Sequence, residues 1–309
     1  MAKCTFKQFQ EMYPSDAACL AKLMDVNYGG TEITCPGCGV DSKFHPLQKR
    51  RAFVCQLCGH HVYPAAGTIF HKSPTNLTKW FFVIYLMTST RHGVAAKEVE
   101  RQLGVTYKCA WRMCHEIRKL MASADYSGPL GGKGRHVEAD ETLVGGRARR
   151  HGKGKGRRAK KTVVMGMVER DGMLRTGPVP DDKTFTLEPI ILENVVPDTI
   201  VTTDGHTSYQ NLGLTYQHGV VKHSENEYVR YDHTFPDGKL QTIVHHTNTI
   251  EGHWSHFKRS IKGTHVHISA KHLWKYCAEF NFRRNYRVSH MLMFDRLISA
   301  MALPRIQEA

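Results

Sequence analysis

Two cysteine pairs constrain this chain more than any other feature. Cys35-Pro-Gly-Cys38 and Cys55-Gln-Leu-Cys58 stand sixteen residues apart, and a glycine follows each, Gly39 and Gly59. A two-residue gap lets both thiolates of a pair reach one metal from a tight turn. The glycine lets the backbone leave that turn at positive φ. Two such knuckles make a closed tetrahedral set, so Cys35, Cys38, Cys55 and Cys58 are expected to hold a structural Zn2+. His60 and His61 follow at once, but four cysteines leave no vacancy for them. A site of this kind stabilises a segment too small to bury its own core and does no chemistry. Cys4, Cys19, Cys109, Cys114 and Cys277 are unpaired in sequence and read as small packing residues. With an odd total of nine, a reducing, cytoplasmic setting fits better than a disulfide framework.

The whole chain is long enough, at 309 residues with 41% hydrophobic residues, for two or three modest domains with real cores. A net charge of +15 at pH 7 points to a polyanionic partner, most simply nucleic acid. No run of about 18 apolar residues appears, so no membrane span is expected. The opening MAKCTFKQFQEMYP lacks the apolar core of a signal peptide. The pattern separates a helical lead-in within residues 1–30, the cysteine region 31–66, and a helix-rich region 67–126. SGPLGGKGR (127–135) then reads as a linker, because its glycines and proline break any helix. Strand-like runs and two long helical patterns follow, and residues 291–309 read as a C-terminal helix.

Residues 94–121 contain a helix from Ala95 to Leu103 that stops at Gly104. A second helix is capped by Thr106, with Val99, Leu103 and Val105 pointing inward. Helix, Gly-Val-Thr, helix resembles a helix-turn-helix, whose second helix enters the major groove. Tyr107, Lys108, Arg112 and, less directly, His115 would then face DNA.

RHVEADETLVGG (135–146) reads as a strand running into a turn. Alternation puts Glu138 and Asp140 on one face and Glu141 on the other. Inward carboxylates are costly unless they bind something. KTVVMGMVERDGMLRTGPVP (161–180) reads as two strands joined at Arg170-Asp171-Gly172, and a helical FTLEPIILENV follows. TIVTTDGHTSY (199–209) reads as a short buried strand delivering Asp204 into a loop, where α/β sheets collect functional groups. On a helical projection of residues 246–261, Ile250, Trp254, Phe257 and Ile261 form one core stripe. Asn248, Glu251, Ser255 and Lys258 group on a separate side. Three carboxylates from separated elements, Asp140, Asp204 and Glu251, suit a pair of Mg2+ or similar ions about 3.5–4 Å apart. Water, and then a DNA 3′-hydroxyl, would be the attacking groups. Asn248, one turn before Glu251, is the alternative third ligand through its carbonyl oxygen.

At this point the order of motifs resembles the ISXO-like insertion-sequence transposases. The residues that carry the resemblance are CPGC…CQLC, the helical block, VEADETLVGG, TTDGHTSY and HTNTIEGHWSHFKRSIKGTH with KHLWKYCAEFNFRRN. The resemblance covers roughly residues 5–287. It implies an α/β protein in which a small zinc ribbon and a helix-turn-helix-like domain precede a ribonuclease-H-like catalytic core over residues 135–290. Asp140 matches the family's first acid and Asp204 its second. The third position varies between acid and amide, so Glu251 or Asn248 matches it. Lys258 lies seven residues after Glu251, like the signature lysine that contacts phosphate, and Arg259 stands beside it. The implied activity is DNA strand cleavage and strand transfer by transesterification with Mg2+ or Mn2+. The implied partners are terminal inverted repeats and target DNA, bound by a dimer or higher assembly in a prokaryotic, nucleoid-associated setting.

The run RARRHGKGKGRRAKK (147–161) has nine basic residues and three glycines, too polar to fold alone. It includes Arg149, Arg150, Arg157 and Arg158 and is expected to grip phosphates. A different class of protein is also open: a zinc-ribbon DNA-binding regulator, or a domesticated relative without catalysis. The acids at the expected positions argue against it. A tyrosine recombinase using Tyr286 near Arg283 and Arg284 leaves those acids unexplained.

Overall fold

In the computed structural model, residues 5–145, 161–234 and 240–301 are described. The chain divides into two units, Met1–Ala124 with Tyr286–Ala309, and Asp125–Asn285. The boundaries fall close to the linker at 127–135 and the end of the last long helical pattern.

In the first unit the lead-in is two helices, α1 (Phe6–Met12) and α2 (Asp16–Tyr28). Pro14 lies at the break, and the Ser15 hydroxyl restarts the helix by accepting from the Ala18 N–H at 3.3 Å. The cysteine region forms β1 (Glu32–Thr34), β2 (Asp41–Pro46), β3 (Phe53–Cys55) and β4 (His61–Val62), an antiparallel sheet in sequence order. Then come α3 (Leu77–Ser89), α4 (Ala96–Leu103) and α5 (Tyr107–Ala124). Gly104 ends α4 in the left-handed region, and the Thr106 hydroxyl accepts from the Cys109 N–H at 3.3 Å, as the sequence implies. The C-terminal helix, His290–Ala300, is no separate appendage: Phe294 packs its ring against Phe9, Tyr13 and Phe81. Its apolar stripe of Met293, Phe294, Leu297 and Ile298 is buried here.

The second unit is built on a five-stranded mixed sheet. β5 (His136–Val144), β6 (Thr162–Glu169) and β7 (Leu174–Val179) form an antiparallel meander. α6 (Thr184–Asn194) then leads to β8 (Ile200–Asp204), which pairs parallel with β5, and β9 (Gln217–Val221) pairs parallel with β8. The order is β7-β6-β5-β8-β9. A hairpin that the sequence does not advertise, β10 (Arg230–Thr234) with β11 (Gln241–His245), precedes α7 (Asn248–Ser260). A π-helical turn, Ile261–His265, and α8 (Ala270–Asn285) complete the unit.

Alternation along β5 and β6 sorts side chains to two cores. Val137, Ala139, Met165 and Met167 pack with Leu187 and Ile191 of α6. Val144, Val164 and Val168 pack with Ile250, Trp254, Phe257 and Ile261 on the stripe of α7, and with Leu273 and Phe280 of α8. The predicted core stripe of α7 is therefore the observed one.

Candidate active site

Asp140 lies on the α7 face of β5. The β5–β8 pairing runs from His136 with Ile200 to Glu138 with Thr202, and there it stops. Extending that register by two residues sets Asp140 level with Asp204 on the same face. Where the strands part, carboxylate oxygens of Asp140, Asp204 and Glu141 come within 4.8 Å of one another. Asp140 and Asp204 are thus brought together as the sequence implied. Glu141 was expected on the opposite face. It does start there, where the Tyr209 hydroxyl donates to it, but the gap beyond the last β5–β8 pair lets its carboxylate join the other two. The sequence signal for this was the Asp140-Glu141 pair itself, read only by strand alternation.

Burial pushes the Asp140 carboxyl up to about 7, and the negative charges of Asp204 and Glu141 add to the rise; the Trp254 indole N–H, donating at 2.9 Å, opposes it. Burial also raises Glu141, against the Tyr209 hydroxyl bond. The cluster therefore consists of hard oxygens that repel one another until a cation enters.

α7 can come this close because residue 166, the β6 partner of Asp140, is glycine. A Cβ there would lie 2.6 Å from the Trp254 ring and 2.9 Å from the Ile250 side chain. Trp254, read from sequence as core alone, is also the group that orients Asp140.

Glu138 shows what the second inward carboxylate binds. It is wholly buried. Oε2 accepts from the Thr249 and Ile250 N–H groups at 2.8 and 3.1 Å, and Oε1 from the Thr249 hydroxyl and Arg170 Nε at 2.9 and 2.8 Å. It satisfies two orphan donors in the first turn of α7, at the positive end of the helix dipole. Arg170, from the β6–β7 turn, also donates to the Val244 and His246 carbonyls at 2.7 and 3.1 Å. Glu138 and Arg170 together fix where α7 begins.

Glu251 is half exposed. Its Oε1 accepts from the Thr247 hydroxyl at 2.8 Å and lies 3.1 Å from His223 Nε2, while Oε2 has no partner among the described residues. It does not join the 4.8 Å cluster. Asn248, Lys258 and Arg259 are exposed on the same helix, and Arg259 is tied to Ser255 at 2.8 Å. In the first unit Tyr107 and Lys108 are exposed at the start of α5. Two expectations there are corrected. His115 is 2% exposed and faces the interior. Arg112 turns inward too: its guanidinium lies 5.4 Å from the Trp80 ring and donates to the Ser73 hydroxyl at 3.2 Å. The helical stripe that buries Met113 and Ile117 carries both residues with it. Arg283, named in the sequence only beside Tyr286, pairs with the buried Glu279 at 3.5 Å. Arg149, Arg150, Arg157 and Arg158 lie outside the described residues.

Sulfurs of Cys35, Cys38, Cys55 and Cys58 lie within 4.8 Å of one another, and the turns leave at Gly39 and Gly59 with φ of 72° and 75°. Four soft donors on two knuckles fit Zn2+. A strong chelator is expected to release about one Zn2+ per chain and to remove hydrogen-exchange protection from residues 32–62. Retained protection after complete metal removal would show that the sheet stands without it.

Fold and site thus define a mixed α/β protein with an acidic site and a four-cysteine metal-binding region. The family model of the ISXO2-like transposase domain matches residues 129–285, and that of the transposase zinc-ribbon domain matches residues 14–61. The chain belongs to the ISXO2-like transposase family. A relative from Halobacterium salinarum, described as an uncharacterized protein in transposable element ISH50, is 24% identical over 269 residues, covering 82% of this chain and 85% of its own. No solved structure matches the chain. Among the described residues, no helix is long and apolar enough to cross a membrane.

Proposed function

We propose that this transposase cuts and joins DNA strands at insertion-sequence ends by metal-dependent transesterification. The observation that carries the reading is the convergence of Asp140 and Asp204, with Glu141, where β5 and β8 part. The sheet order, with an antiparallel meander followed by two parallel strands, supports a ribonuclease-H-like core. Asp140 and Asp204 would hold Mg2+ or Mn2+, which supplies charge stabilisation at the attacking and leaving oxygens when bound. The Trp254 indole N–H fixes one Asp140 oxygen. Glu138 and Arg170 hold the start of α7, so that its polar side lies at a set height beside the acids. Lys258 and Arg259 on that side, and Tyr107 and Lys108 at the start of α5, are phosphate and groove contacts in this reading. The partners are terminal inverted repeats and target DNA, with two copies of the chain bringing two ends together.

Glu251 is our choice for the ligand from α7. A carboxylate offsets cation charge better than an amide, one of its oxygens has no partner among the described residues, and Lys258 follows two turns later. The test is a strand-transfer assay on candidate terminal DNA with Mg2+ or Mn2+. Glu251→Ala is expected to lose at least about a hundredfold in rate, and Asn248→Ala to stay within about threefold of wild type. The reverse result exchanges their roles. Wild-type protein that binds a defined DNA site but never nicks it with either ion would overturn the enzymatic reading.

A further inference from the structure

A pocket of about 440 Å3 opens beyond the acidic cluster, between the end of β5 and the segment that leaves α7. Its volume lies within the range of small-ligand sites, about 300–1,000 Å3. The floor is apolar: Val144, Ile261 and Ile268 are buried, and Leu143 and Val266 form exposed walls. The rim is basic: Lys161, Lys258 and Lys262 surround it, with the flat ring of His267. Among the described residues, no carboxylate pairs with these three lysines. Leu143 and Val144 stand three and four residues past Asp140 on β5, about 10–13 Å along the strand.

The backbone around the pocket is irregular in a specific way. The α-helix gives way to a π-helical turn at Ile261–His265, and Val266 follows with φ of 61°. A β-branched residue rarely adopts that conformation. The departure from regular helix places Val266, 66% exposed, at the mouth of the pocket. Local strain of this kind collects at ligand sites, and an exposed valine wall gains nothing from it in the free protein.

An apolar slot ringed by unpaired lysines fits a ligand with a flat, weakly polar body and a phosphate. We infer that the pocket receives one unpaired nucleotide of a DNA strand, its base on the Leu143–Val266 walls and its phosphates on Lys161, Lys258 and Lys262. The inference rests on the reading of this chain as a DNA-processing protein. The pocket would draw a single nucleotide out of the stack a short distance from the acids, and so favour ends whose terminal pairs open easily.

The test compares binding of a fully paired short duplex with the same duplex carrying one unpaired nucleotide, labelled with a fluorescent adenine analogue. Full-length wild type is expected to bind the unpaired form about tenfold more tightly, with a change in analogue emission. Val266→Gly removes a wall while relieving the positive φ, so its fold is not threatened. Leu143→Glu places a charge at the other exposed apolar residue that lines the pocket. Both are expected to keep paired-duplex affinity and to bring the preference within about twofold of unity. Equal binding of the two duplexes by wild type, or a preference retained by both variants, overturns the pocket assignment. No step of this comparison requires cleavage, so an inactive enzyme would sink the transposase reading without deciding the pocket. Paired binding without preference would do the opposite.

Discussion

Replacing Asp140 or Asp204 by alanine is expected to reduce metal-dependent strand cleavage and joining by at least about a thousandfold, with DNA affinity kept within about twofold. The size follows from the several kcal/mol that ligated cations supply to charge developing on phosphate oxygens, at about 1.4 kcal/mol per tenfold. Stability separates this loss from misfolding. Burial raises the Asp140 carboxyl to about 7, and repulsion from Asp204 and Glu141, crowded beside it in a partly buried opening, adds to the rise. Removing one acid relieves it, so Asp204→Ala is expected to melt at or above the wild-type temperature. Asp140→Ala also strands the Trp254 indole N–H, which offsets part of the relief. The measurement is a strand-transfer rate beside a thermal melt for each variant. Full activity in either would remove the acid pair from the chemistry.

Glu138→Ala, two residues away on the same face, is expected to act in the opposite way. It should destabilise the second unit by about 3–5 kcal/mol, the usual cost of removing one partner of a buried ion pair. The variant leaves Arg170 without its carboxylate and the Thr249 and Ile250 N–H groups without an acceptor. Glu138→Gln keeps an acceptor oxygen and should fall between wild type and alanine. Equilibrium denaturation with a probe in the second unit measures this. A second cycle with Arg170→Met tests whether the two losses are coupled, as contacting groups require. A midpoint shift equivalent to less than about 0.5 kcal/mol for Glu138→Ala would mean that α7 holds its place without this carboxylate.

These two acids show how far the sequence could be read. Alternation alone placed Glu138 and Asp140 on one face and said that both needed a partner. It did not say that Glu138 would place its charge at a helix terminus while Asp140 joined the acidic cluster. That division depends on where α7 begins, more than a hundred residues later in the chain. Helical spacing gave the Ile250-Trp254-Phe257-Ile261 stripe correctly, because burial of one face is a local, periodic requirement. The same periodicity assigned Arg112 and His115 to a DNA face only because nothing in it revealed that α3 lies on that side with Trp80. The β10–β11 hairpin was missed for a similar reason: its strands are short and polar, and pairing across residues 234–241 leaves no strong periodic signal.

By itself the sequence determined the four-cysteine cluster, the β5–β6–β7 meander with β8 after it, the stripe of α7 and the candidacy of Asp140 and Asp204. Each of these is set by spacing along the chain, through turn geometry or side-chain period. Only the tertiary structure decided that β8 parts from β5 after Glu138 and Thr202, which lets Glu141 swing into the opening. Only it decided that Gly166 admits Trp254 to Asp140, and that Glu138 and Arg170 anchor the start of α7. Those outcomes depend on which strand lies beside which and how closely a helix approaches a sheet. They are fixed by packing between segments far apart in the chain, a property that no local period encodes.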